Sequence, residues 1–401
     1  MTGSLEPAER VQAVGPSGIR RFFEIAEERD DVISLGVGEP DFSAPWAARD
    51  AAIQSLERGK TSYTANRGMY DLREAISRYV GDRFGLEYGP DEEILVTAGA
   101  SEAVDLAFRA FVDPGDTVAV AQPAYISYGP GVTFAGGEVL PVRTREEDDF
   151  RLTVEALETA GAETADLLVL CYPNNPTGAV MSRADLEPIA AFAREHDLAV
   201  LSDEIYAELT YDERDTAADA SPGTATHASI ATLPGMRERT IVCNGFSKAH
   251  AMTGLRLGYA LGPGGAINAM NRVHQYGMLS APTTAQYAAL EALDSCGDDV
   301  EAMVDQYNRR RRFVISRFRE IGMPCFEAKG AFYVFPEVPD GWDGIANEFA
   351  ERLLRERGVA VVPGDVFGVG GEGHLRVSYA TGLEELREAL ARIESFVDQH
   401  V

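Results

Sequence analysis

Lysine is almost missing from this chain of 401 residues: Lys60, Lys248 and Lys329 are the only ones among 36 basic residues, and the others are arginines. No run of about 18 apolar residues occurs, so no membrane-spanning helix is expected. The N-terminus, MTGSLEPAERVQAVG, has no basic stretch leading into an apolar core. No secretory signal is therefore read, and a cytoplasmic protein is expected. Cys171, Cys243, Cys296 and Cys325 are scattered without Cys-x-x-Cys spacing. Reduced intracellular thiols fit that pattern, and a zinc site is not expected. Positive charge is also short: 64 acidic residues leave a net charge of −28, which argues against a nucleic-acid partner. An acidic surface that avoids lysine suits a salt-rich cytoplasm, whereas hyperthermophilic chains tend to gain lysine along with glutamate.

What is present is an ordinary globular composition, 45% hydrophobic and 25% charged, long enough for two or three domains. Apolar runs of strand length alternate with amphipathic helical stretches: EILVTAG, DTVAVAQP, ADLLVLCYP, LAVLSDEIY and TIVCNGFS. Continuous β-branched runs between helices predict an α/β fold with a parallel sheet covered on both faces. From about Ala281 the pattern changes to two long helices, around Thr284–Ser295 and Asp299–Ile321. FYVFPEV, a helix near Ile345–Arg357, GVAVVPG, HLRVSYA and a terminal helix follow. That succession predicts a smaller α+β domain. Asp212–Thr226 reads as a polar surface loop.

Several polar features fall just beyond the ends of the predicted parallel strands, where open α/β sheets bind ligands. Lys248 follows TIVCNG, Asp203 follows LAVLS, and Asn174–Asn175 follow ADLLVLCYP. Gly99–Ala100–Ser101 joins EILVT to a helix whose first N–H groups would form an anion site. Arg256 could add a positive charge there. An amine, a carboxylate and a phosphate cradle together suggest pyridoxal phosphate.

SKAHAMTGLRLGY resembles the cofactor-lysine signature of the class I/II aminotransferases, fold-type I pyridoxal-phosphate enzymes. LGVGEPDF, YPNNPTG, SDEIY and HLRVSYA resemble four further motifs of that family, in its order, so the likeness spans Ser34 to Ala380. It implies a large domain with a mainly parallel seven-stranded sheet flanked by helices (residues 44–283). A smaller α+β domain (284–401) and an N-terminal arm with the substrate loop (1–43) complete it. It implies transfer of an amino group from an L-amino acid to a 2-oxo acid, by a ping-pong route through pyridoxamine phosphate. Residue by residue, it implies that Lys248 is the Schiff-base lysine and the group that moves the proton. Asp203 would pair with the ring nitrogen, Asn175 and Tyr206 would bond the ring's phenolic oxygen, and Tyr125 would stack on the ring. Ala100, Ser101, Ser247 and Arg256 would hold the phosphate. Arg376 would grip the substrate carboxylate as a planar fork beside the Gly38 backbone, with Tyr125 and Asn175 adjoining. Tyr63 resembles the tyrosine that reaches the neighbouring subunit's phosphate, implying a homodimer with shared active sites.

Two departures stand out. Gly245 occupies a position where many relatives carry a phosphate-binding serine, and Ser101 one where some aspartate-using relatives carry lysine. The same core residues would also serve a C–S β-lyase, so that chemistry is the alternative. Ile19, Phe22 and Phe23 are candidate apolar walls of the substrate pocket, and His250 is expected to pack rather than react. The Asn175–Pro176 and Gln122–Pro123 peptides are both expected to be cis, since each adjoins a residue that must face the ligand.

Overall fold

The computed structural model describes residues 5–16, 18, 31–211 and 227–401. The predicted polar loop Asp212–Thr226 lies outside the described residues. Twelve strands are formed among those described: β1 (Ile33–Ser34), β2 (Ile94–Thr97), β3 (Thr117–Gln122), β4 (Glu138–Arg143), β5 (Leu167–Cys171), β6 (Ala199–Asp203), β7 (Thr240–Gly245), β8 (Gly258–Leu261), β9 (Tyr333–Val334), β10 (Val359–Ala360), β11 (Val362–Pro363) and β12 (Leu375–Ser378).

Seven of them build the central sheet, in the order β2-β8-β7-β6-β5-β3-β4. Only β8 runs antiparallel to its neighbours. β2, β5 and β8 are buried along their whole length, as expected where helices cover both faces. Two strands of this sheet escaped the hydropathy reading. β4 is an edge strand whose EVLPVR carries Glu138, Pro141 and Arg143, tolerable because one side of it has no partner strand. β8 was absorbed into the glycine-rich stretch after Lys248. The C-terminal part forms a three-stranded antiparallel sheet, β11-β12-β9, and β1 pairs with β10 in parallel.

Helices follow the predicted stretches within a residue or two. Ala100–Phe111 turns Ala103, Val104, Ala107 and Phe108 to the sheet, one stripe at helical spacing. Arg183–Glu195 opens with a capping box. Ser182 Oγ accepts from the Asp185 N–H at 3.3 Å, and the Ser182 N–H donates back to Asp185 at 2.8 Å. The helix Thr283–Ser295 buries Ala285, Ala288, Ala289 and Ala292 in a cluster with Leu72, Ile76 and Val96. Another core runs from Leu168 and Leu170 of β5 to Phe332 and Phe335 around β9, so central sheet and C-terminal sheet share one apolar interior. The strand ends on that side open into a cavity of about 1000 Å³.

Candidate active site

β7 ends at Gly245, and the next turn carries Ser247 and Lys248 into the cavity. The Lys248 ammonium donates to the Gly38 carbonyl at 2.6 Å. It lies 5.7 Å from the centre of the Tyr206 ring and 5.6 Å from that of Phe332. Burial pushes it down to about 8; Glu39 opposes that shift, and Arg376 and Arg256 add to it.

β6 ends at Asp203, which is buried, with a carboxylate that accepts from Tyr128 Oη at 2.7 Å and from the Ile205 N–H at 3.2 Å. Burial pushes its carboxyl up to about 6, against the Tyr128 hydrogen bond, which pulls it down. Tyr206, in the turn after β6, shares a hydrogen bond with Tyr333 Oη at 2.9 Å. Burial raises its phenol well above the ordinary value.

The helix Ala100–Phe111 begins at the cavity wall. Gly99 precedes it at φ 86°, a left-handed value that glycine adopts without cost. A Cβ built there would lie 2.7 Å from Arg256 Nη2, so the guanidinium packs directly on the Gly99 backbone. Arg256 is itself at φ 51°, with Nη1 donating to the Thr253 carbonyl at 2.9 Å. Gly245 and Gly258 face each other across β7 and β8. A Cβ on Gly245 would fall 2.8 Å from Gly258 Cα, and one on Gly258 would collide with the Ala100 amide nitrogen.

Arg376, on β12, donates through Nη1 to Asn175 Oδ1 at 3.0 Å and through Nη2 to the Gly36 carbonyl at 2.5 Å. Its Nε is buried without a partner. An orphaned donor on a buried guanidinium is costly unless a ligand completes it. The fork lies 4.7 Å from the Tyr333 ring centre and 4.8 Å from that of Phe367.

Asn175 does not depend on a cis proline bond of its own, contrary to expectation. The cis bonds are Gln122–Pro123, as expected, and Tyr172–Pro173, not Asn175–Pro176. Asn175 is presented instead by a turn built on its neighbour. Asn174 Oδ1 accepts from the Thr177 N–H at 3.0 Å and from its hydroxyl at 2.8 Å, and the Asn174 carbonyl accepts from the Gly178 N–H at 2.9 Å.

Every anticipated site residue lines the one cavity except Tyr63: Gly38, Ala100, Ser101, Tyr125, Asn175, Asp203, Tyr206, Ser247, Lys248, Arg256 and Arg376. Tyr63 is 80% exposed, on the outer surface. Ile19, Phe22 and Phe23 lie outside the described residues. His250 is buried behind the lysine turn, tilted against the Phe246 and Tyr79 rings, and burial pushes it down to about 4. Sequence reasoning missed Tyr128 and Tyr333. Tyr128 stands three residues after Tyr125, so a helical start in that segment would have brought it to the same wall; nothing local marked Tyr333.

The residues fit pyridoxal phosphate. Glycines hold the helix N-terminus and Arg256 close enough that a Cβ would fill the space between them. A buried carboxylate and the half-buried amine of Lys248 face the same volume. The family model "Aminotransferase class I and II" matches residues 30–393. A protein named as an aminotransferase, YugH of Bacillus subtilis, is 50% identical, over 97% of this chain and 98% of its own. An aspartate aminotransferase of Pyrococcus abyssi is 44% identical, over 96% and 97%. The crystal structure of an aromatic aminotransferase from Pyrococcus horikoshii superposes with a TM-score of 0.87 at 43% identity, covering 94% of this chain and 99% of that one.

Proposed function

The chain belongs to the class I and II aminotransferases, with the fold-type I architecture and pyridoxal phosphate dependence of that family, and on that premise we propose that its amino donor carries an uncharged side chain. It is a transaminase that works on an amino acid and a 2-oxo acid; none of the relatives above supports the β-lyase alternative.

The observation that carries the donor class is the set of charges in the cavity. Among the described residues its only lysine or arginine side chains are Lys248, Arg256 and Arg376. Our reading uses each once: Lys248 for the cofactor, Arg256 for its phosphate, Arg376 for the substrate α-carboxylate. Of the remaining acids, Asp105 is already paired with Arg109 at 2.7 Å and Glu39 would repel a second carboxylate, and burying an unpaired charge costs several kcal/mol. Val37 and Phe134 line the same cavity at 40% and 41% exposure, leaving apolar surface for a side chain to cover.

When bound, pyridoxal phosphate supplies the carbon that takes the amino group and a ring that accepts the electrons of the Cα–H bond. Arg376 binds the substrate carboxylate through its fork, and the bond to Asn175 fixes the plane of that fork. Lys248, lowered to about 8, is an amine that can both accept and return a proton near neutral pH. With the cofactor in place, Asp203 would hold a proton at its ring nitrogen, and the Tyr206–Tyr333 pair would offer an O–H to its ring oxygen. A single-turnover panel tests the donor class. Phenylalanine and leucine should react about a hundredfold more efficiently than aspartate. Equal or faster aspartate turnover overturns the donor class, while silence with every amino acid overturns the site reading itself. Arg376→Lys should raise KM about 10- to 100-fold for all donors alike, since an ammonium cannot reproduce the fork.

We further read the enzyme as a cytoplasmic homodimer adapted to salt. Trp46, Tyr63, Tyr70 and Tyr276 are large exposed side chains, at 64%, 80%, 47% and 89%, of the kind a partner subunit covers. Sedimentation should show a dimer, and melting should rise by about 5 °C or more between roughly 0.1 and 2 M salt as self-repulsion is screened. A monomer removes the role given to Tyr63, and salt-independent melting removes the salt adaptation.

A further inference from the structure

Immediately after Asp203 stands a second buried acid, and the reaction outlined above does not use it. Glu204 is 1% exposed. Its carboxylate accepts from Ser202 Oγ at 2.8 Å and from Ser229 Oγ at 2.6 Å, and it pairs with His227 Nε2 at 2.9 Å. The Glu204 N–H is fixed to the Cys243 carbonyl of β7 at 2.8 Å. His227, the ion-pair partner that the fold supplies, is a residue that need not be charged. The neighbouring acid on the same turn, Glu208, has instead an arginine, with Arg83 Nη2 at 2.6 Å. A carboxylate this deep is expensive to retain for packing alone, since a neutral side chain of the same shape would make similar contacts at lower cost.

We propose that Glu204 is a positioning residue for the transamination site. Held by Ser202, Ser229 and His227, it fixes the turn that carries Asp203 and Tyr206, and its charge strengthens the hold of Asp203 on the proton of the cofactor's ring nitrogen. The inference rests on the site reading above. Two elements support it. The bonds to Ser202 on β6 and to Ser229, which caps the short helix Ile230–Thr232, tie the residue before Asp203 and a segment far along the chain to one carboxylate. A negative charge one residue away raises the affinity of Asp203 for a proton, alongside the larger effect of burial.

Glu204→Gln keeps the shape and removes the charge; Ser229→Ala keeps the charge and removes one hydrogen bond. The absorbance of the bound cofactor, titrated with pH in the loaded enzyme, separates the two contributions. Glu204→Gln should shift the titration midpoint downward by about 0.5–1 unit, because a negative charge has left the neighbourhood of the proton. It should lower kcat about tenfold with KM changed less than about twofold. Ser229→Ala should leave the midpoint in place. An unshifted midpoint in Glu204→Gln, or an equal shift in Ser229→Ala, overturns the proposal and leaves Glu204 a structural brace. Failure of Glu204→Gln to bind cofactor would be resolved by Glu204→Asp, which must restore both binding and midpoint if the charge is what matters. If Asp203→Asn leaves the enzyme unimpaired, the site reading fails rather than the role of Glu204.

Discussion

Replacing Lys248 by alanine should lower transamination by about four orders of magnitude or more while the protein still folds. General acid–base catalysis alone contributes about 10²- to 10⁴-fold, and in the function proposed above this residue would also form the covalent link to the cofactor. The fold should tolerate the change because the ammonium is a liability to it. Burial pushes the Lys248 amine down to about 8 from 10.5, so below that pH the folded protein carries a buried charge that the unfolded chain would solvate. A folded-state value below the unfolded one means that this group destabilises at neutral pH and ceases to do so as pH rises through 8 towards 10.5. Cofactor-free Lys248→Ala should therefore melt no lower than the parent at pH 7. Borohydride reduction and peptide mapping give the direct check, made clean by the scarcity of lysine. A label on Lys60 or Lys329 would remove Lys248 from the centre of the site.

Asp203→Asn should retain cofactor binding but lose about 10²- to 10³-fold in kcat, because an amide cannot hold the positive charge of a protonated ring nitrogen. The same substitution should stabilise the cofactor-free protein. The Asp203 carboxyl is pushed up by burial to about 6 from 3.8, so it keeps its proton in the fold at pH values where the unfolded chain has lost it. The stability this provides is present below 3.8 and is lost as pH rises through 6; at pH 7 the carboxylate costs the fold up to about 3 kcal/mol relative to a neutral group. Cofactor-free Asp203→Asn should accordingly melt above the parent at pH 8, with the gap closing near pH 4. Wild-type turnover would mean that another group protonates the ring. A gap independent of pH would mean that the asparagine stabilises by packing.

Asp203 and Arg376 were legible because each ends or occupies a strand whose hydropathy announced it, Lys248 and Asn175 because each follows such a strand within a few residues, and the charged ones because a charge in an apolar run needs a reason. Tyr333 was illegible on that basis. An aromatic residue in FYVFPEV looks the same whether it fills a core or meets Tyr206, and only the packing of β9 beside the Asp203 turn decides. Glu204 was hidden by its neighbour, since an acid beside a motif acid reads as part of the motif, and its partner His227 arrives from 23 residues away. The cis bond was misplaced for a related reason: YPNNP offers two prolines, and no local pattern says which one follows the reversal of the chain. β4 was lost because an edge strand is free to carry the charges and the proline that hide it.

The facing pair Gly245 and Gly258 bears on how freely this part of the chain can vary. A side chain at either position meets backbone: Gly245 presses on Gly258 and on the Leu257 carbonyl, 3.0 Å from where its Cβ would lie, and Gly258 presses on the first residue of the helix Ala100–Phe111. A serine at Gly245 could not be added without moving β8, and β8 could not move without disturbing the start of the helix Ala100–Phe111. The two positions are therefore coupled: a side chain at either one needs a compensating shift of the opposite strand, so neither is free to vary alone.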